Sequence, residues 1–244
     1  MDFKMEMPTA LGYFVSLVQS DEHFPLLEAA ASLAQDQDPA LDIQSVLDEV
    51  DQLTSRLKQR LPDDAGCLHK LRMLNKFFFE ELGFAGNVND YGAAHNSYVS
   101  AVLQTRLGIP ISLAVLWLEL ALGLGLEANG VGFPGHFLVK VRLSYPHEGQ
   151  VVIDPMTGLL QSRDDLLERL LPLFSESGLL GEAEMVPDEM LAFYLRSATP
   201  REIVARMLRN LEMIHTRDQN ATQLSLVHQR LTVLLPQTDE SPED

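Results

Sequence analysis

The chain has 244 residues, 46% of them hydrophobic, which is enough for a substantial core and too apolar for disorder throughout. Eighteen Lys and Arg stand against 35 Asp and Glu, giving a formal net charge of -17 with the carboxylate excess spread along the whole chain. No cluster of basic residues offers the electrostatic footprint that nucleic acid or an anionic membrane surface needs, so neither is expected as a partner.

The N-terminal stretch MDFKMEMPTALGYFVSLVQ mixes Asp2 and Glu6 into its first residues. It lacks the positive n-region and uninterrupted apolar run of a signal peptide, and is read as mature protein. Residues 1 to about 80 read as helices. Between Ile43 and Leu61, Val46, Leu47, Val50, Leu53 and Leu57 recur at steps of three and four, until Pro62, Asp63 and Asp64 end the pattern. A second helix is expected from about Ala65 to Leu82, with Leu68, Leu71, Leu74, Phe78 and Leu82 on one stripe and Gly83 as its stop. The single cysteine, Cys67, excludes an intramolecular disulfide and a cysteine zinc cage, and this usage fits a cytoplasmic protein.

From residue 83 the character changes. GFAGNVNDYGAAHNSY is rich in residues that tolerate tight turns, so a loop is expected before a helix from about Ser97 to Arg106. In PISLAVLWLELALGLGL, Pro110 suits the first helical position, Ser112 falls in the first turn, and Gly123 and Gly125 mark the end. This segment is apolar almost all round and carries Ser112 and Glu119 at depths awkward for a membrane span, so a core helix explains it. The short runs FLVKVRL and VVID, separated by SYPHEGQ, read as an antiparallel hairpin turning near Pro146 and His147. Such a turn brings His136, just before the first strand, close to Asp154, at the end of the second.

Residues 187 to 236 return to helix. Ile203, Val204, Met207, Leu208, Leu211 and Ile214 form one stripe, and Leu224, Val227, Leu231 and Leu234 a second, which together make a helical hairpin about as long as one tetratricopeptide unit. The acidic end QTDESPED, residues 237–244, is expected to be disordered. The chain thus divides into an N-terminal helical region (1–82), a core (83–175), the C-terminal hairpin (187–236) and the tail.

A helix N-terminus, a His entering a strand and an Asp ending the next strand supply what nucleophilic acyl transfer needs. The helix end lowers a nucleophile's pKa and can hold an oxyanion, the His takes a proton, and the Asp fixes the imidazole tautomer. At these residues the sequence resembles a known family. NSYVSAVLQTRLGIPISLAVLWLELALGLGL, GVGFPGHFLVKV and VVIDPMTGLL, with LNKFFFEELGFAGNVNDY upstream, are similar to the bacterial Sir-B-type transglutaminase-like family with tetratricopeptide-like C-terminal helices. The resemblance implies an α+β, mostly helical fold, in which a papain-like core of one buried helix on a small antiparallel sheet is flanked by N- and C-terminal helices.

In transglutaminase-like enzymes the order is Cys, His, Asp, so the resemblance carries the His role to His136 and the Asp role to Asp154. The Cys role falls on or beside Ser112, and no cysteine lies between residues 100 and 125. Two functions follow. One is a degenerate regulatory protein that binds protein or peptide; the other is an active Ser-His-Asp amidase, esterase or peptidase using Ser112. Plainer uses compete with both, since Ser112 can satisfy backbone groups in a helix's first turn and His136 with Asp154 can brace a hairpin. Asn96, Gln104 and Arg106, upstream of the Ser112 helix, are candidates to line the cleft as amide donor or carboxylate clamp. His95, His147, His215 and His228 show no metal-ligand spacing, and no phosphate-binding glycine motif is present, so neither a metal nor another cofactor is expected.

Overall fold

The structure is a computed structural model that describes residues 9–144, 148–177 and 188–235. The expected hairpin tip at Pro146 and His147 and the tail 237–244 lie outside the described residues. The N-terminal region holds α1 (Ala10–Leu17), α2 (Leu26–Ser32), α3 (Ile43–Lys58) and α4 (Cys67–Asn75), the last running into a π-helical turn over Lys76–Glu81. Asp42 caps α3 by accepting the Gln44 N–H, and the α3 stripe foreseen from spacing is the face that is buried: Val46, Val50, Leu53 and Leu57.

Two-residue strands β1 (Ala85–Gly86) and β2 (Leu107–Gly108) pair in parallel on either side of α5 (Val99–Thr105). They lead the chain into α6 (Pro110–Gly123), the centre of the molecule. Every residue of α6 from Pro110 to Leu118 is buried, and Trp117 donates its indole N–H to Asn75 Oδ1 at 3.0 Å. A fully buried Leu or Ile contributes roughly 1.5–3 kcal/mol, so a helix this completely enclosed accounts for a large part of the stability of a domain.

Strands β3 (Ala128–Val131), β4 (Leu138–Leu143), β5 (Gly149–Ile153) and β6 (Leu160–Gln161) form an antiparallel meander in chain order. The expected hairpin is β4–β5; the short outer strands carry too little pattern to be foreseen. Its register pairs Val139 with Ile153 and Val141 with Val151. Alternation then separates two faces: Val139, Val141 and Ile153 join the main core beside α6, whereas Leu138 and Val152 pack with Leu166 and Leu170 of α7 (Arg163–Ser177) and with Leu191 and Leu195. Leu191 belongs to α8 (Asp188–Tyr194).

The C-terminal hairpin is α9 (Pro200–Arg217) and α10 (Ala221–Leu234), with Thr199 and Glu202 closing a capping box at the start of α9. Ile203, Val204, Met207, Leu208 and Leu211 of α9 share one core with α1 to α6, so the regions that composition distinguishes pack on a common interior. Arg230 of α10 is 1% exposed, binds both carboxylate oxygens of Asp36 at 2.7 and 2.8 Å, and lies over the Phe14 ring. The fold is thus α+β and mostly helical, with the buried helix on the small antiparallel sheet.

Candidate active-site cleft

The β4–β5 register places Asp154 opposite the start of β4, and the turn before β4 brings His136 back to it. That turn closes through a His136 N–H to Phe133 carbonyl bond of 3.1 Å, with Gly135 at φ 65, a conformation that a side chain would strain. His136 Nε2 lies 3.0 Å from Asp154 Oδ1, close but outside good hydrogen-bond geometry. Asp154 also accepts the Met156 N–H at Oδ1 (2.9 Å) and Arg169 Nη2 at Oδ2 (3.0 Å). The Met156 contact and the Gly158 N–H on the Asp154 carbonyl make an Asx-type turn, which explains why an Asp-Pro pair ends β5. Burial pushes the Asp154 carboxyl up, but the His136 ring, the Met156 N–H and the Arg169 charge together hold it below its ordinary value.

With Nε2 turned to Asp154, Nδ1 is the ring nitrogen left for a second partner. His136 lines a cavity of about 380 Å³ together with Tyr91, Pro110, Ile111, Arg206 and Met213 among others. The α6 N-terminus therefore reaches the His through Pro110 and Ile111. Ser112 is fully buried and does not line this cavity. Its Oγ is 2.6 Å from the Asn96 carbonyl, 3.0 Å from the Ile109 carbonyl and 3.2 Å from the Ile109 N–H, which it accepts as the third residue of a capped helix does. Gly108 makes room for this arrangement, because a Cβ there would stand 2.8 Å from Ser112 Oγ.

The structure brings His136 and Asp154 together and turns Ser112 elsewhere. The three upstream polar residues lie off the His136 cavity too, which corrects their expected position. Asn96 is fully buried and braces its own loop, donating to the Asp90 carbonyl at 2.6 Å and accepting from Asn87 Nδ2 at 3.0 Å. Gln104 is on the exposed side of α5. Arg106, in a left-handed conformation after α5, pairs with Glu49 and lies over the Phe84 ring. Asn96 and Arg106 are thus held by partners in the scaffold, and Gln104 faces away from the core.

Three cleft residues had no signal of their own in the sequence. Arg169 comes from α7 and Arg206 from α9, where each passes for an ordinary solvent-facing charge, and Tyr91 sits in a loop that reads only as turn-forming. Arg206 donates to the His136 carbonyl at 2.7 Å and the Phe133 carbonyl at 3.1 Å, pinning the turn that carries His136. Burial pushes the Tyr91 phenol up; Arg206, which lines the same cavity, opposes this and the Asp154 charge adds to it. Among the described residues no group of three or more His, Cys, Asp or Glu is arranged to hold a metal ion, and no helix is long and apolar enough to cross a membrane.

Residues 44–209 match the transglutaminase-like superfamily. The chain is 32% identical over 225 residues to a UPF0162 protein of Xylella fastidiosa (strain 9a5c), covering 92% of this chain and 76% of that one. A UPF0162 protein of Pseudomonas aeruginosa is 32% identical over 191 residues, 78% of this chain and 65% of the relative. Human F-box only protein 21 is 30% identical over 146 residues, 51% of this chain and 23% of that protein. No solved structure matches.

Proposed function

This chain belongs to the transglutaminase-like superfamily, and on that premise we propose that it is a catalytically degenerate, regulatory member that binds protein or peptide in the cleft beside His136. One observation carries the reading: the residues of the α6 terminus that line the His136 cavity are Pro110 and Ile111, neither of which has a nucleophilic atom. A histidine base and an orienting carboxylate without a nucleophile leave half of a covalent mechanism. What remains is a concave site with apolar walls and a few convergent polar groups, the composition of a binding pocket.

The alternative, a Ser-His-Asp amidase, esterase or peptidase, requires Ser112 Oγ to leave three hydrogen-bonding contacts and turn out of a fully enclosed position. Serine is also harder to deprotonate than cysteine and gains less from a helix end. Treatment with a fluorophosphonate probe, alongside ester and glutamine-peptide hydrolysis assays, separates the two readings. Neither labelling nor turnover is expected. Labelling at Ser112 that disappears in folded Ser112→Ala and His136→Ala proteins would establish the hydrolase instead.

A further inference from the structure

The His136 cavity does not stand alone. A second cavity of about 630 Å³ shares Phe137 and Arg206 with it as a common wall and runs on past Phe193, Arg196 and Arg209. Across the two, four of the chain's 18 basic residues line the walls, Arg196, Arg206, Arg209 and Arg217, against one carboxylate, Glu202. A protein with 35 acidic residues thus concentrates arginine along one depression.

Two of these arginines already have carboxylate partners, Arg196 with Glu202 and Arg217 with Asp218. Arg206 spends its hydrogen bonds on main-chain carbonyls, and Arg209, exposed on the same face of α9, makes no ion pair among the described residues. Arg206, Arg209, Met213 and Arg217 recur at steps of three and four, so α9 presents them as one stripe along the floor. Large apolar side chains stand open beside the charges: Phe193 and Met213 are each 64% exposed and Tyr91 is 50% exposed.

We infer that the two cavities form one groove that takes an extended peptide segment carrying Asp or Glu side chains next to bulky apolar ones. This rests on the peptide-binding reading above and adds to it the chemistry of the partner. Arginine presents a planar fork matched to carboxylates, and among the described residues Arg206 and Arg209 have no carboxylate partner. The exposed aromatic and Met side chains provide apolar anchors on the same path. A polyanion such as single-stranded nucleic acid fits less well, because beyond the groove its phosphates would meet the negative field of the rest of the chain.

The test is selection from a randomised twelve-residue peptide display library on the full chain, followed by fluorescence anisotropy with the enriched peptide. The same titration is repeated with its Asp and Glu changed to Asn and Gln, and with a single-stranded oligonucleotide. Enriched sequences should be acidic and contain Phe, Leu or Met, and the neutralised peptide should bind at least about tenfold more weakly. Arg209→Glu, at an exposed position where folding is not at stake, should cost a similar factor, while Arg142→Glu, near the far end of β4 and lining neither cavity, should leave binding unchanged. Enrichment of neutral or basic sequences, or binding insensitive to Arg209→Glu, overturns the acidic preference but leaves peptide binding standing. Equal or tighter binding of the oligonucleotide overturns it in favour of phosphate recognition. A selection that enriches nothing overturns the peptide-binding reading itself.

Discussion

Replacing Ser112 with alanine separates a structural serine from a catalytic one. The substitution removes an Oγ that joins the α6 terminus to the 87–97 loop through the Asn96 carbonyl at 2.6 Å and accepts the Ile109 N–H at 3.2 Å. That N–H keeps a longer bond of 3.3 Å to the Asn96 carbonyl, so it is weakened and not orphaned. One buried hydrogen bond and one helix-terminal contact are therefore lost, worth together about 2 kcal/mol. For a chain of this size that corresponds to a fall in Tm of about 4–8 °C. Urea titration followed by circular dichroism measures the first quantity, and amide exchange of residues 87–97 should show faster opening in the variant. A Ser112→Ala protein within about 0.5 kcal/mol of wild type would refute the reasoning, because a fully buried hydroxyl with three close partners should not be silent.

The remaining predictions concern the scaffold. Arg230→Leu leaves the half-buried Asp36 without its partner and should cost about 3–5 kcal/mol in urea titration, much of which the double change Arg230→Met with Asp36→Leu should recover. Gly108→Ala drives a Cβ to 2.8 Å from Ser112 Oγ and 3.0 Å from Val102 Cγ2, and should destabilise by about 1–3 kcal/mol. His215 is 3% exposed with an unpartnered Nε2, and burial lowers its pKa in spite of Asp218 and Asp36, which raise it. The unfolded chain therefore binds the proton more readily. The contribution of the neutral ring is fully present above the unfolded value of about 6.5 and is lost as pH falls through the lower folded value. Thermal melts between pH 7.5 and 5 should show this loss, and a His215→Leu protein should show a flatter profile.

Much of the scaffold around the site was legible because the signals were local. Pro110 opening an apolar run, Gly123 ending it, and two β-branched runs flanking turn residues are enough to give α6, the β4–β5 hairpin and, through register, the meeting of His136 with Asp154. The direction of Ser112 was not legible. Residues 110, 111 and 112 are each about 100° apart around a helix, and which of them faces the cleft depends on how α6 is rotated against its neighbours. That rotation is set by the tertiary contacts of Gly108 and Asn96, which no periodicity records. Arg169 and Arg206 were hidden for the same reason: a charge on the polar flank of an amphipathic helix reads as solvated until a partner element arrives. Strands β3 and β6 escaped notice because four residues containing a glycine, and two residues, hold too little alternation to stand out.

Cysteine scanning of the α6 terminus tests the central claim most directly. In a Cys67→Ser background, Pro110→Cys, Ile111→Cys and Ser112→Cys are each alkylated with iodoacetamide between pH 5 and 9. The cleft model predicts that position 110 or 111 yields a thiol reacting faster at neutral pH than an exposed model thiol, and that His136→Ala slows it, while the thiol at 112 stays inert. Fastest reaction at position 112, or no position faster than the model thiol, would contradict a cleft that retains its base and has lost its nucleophile.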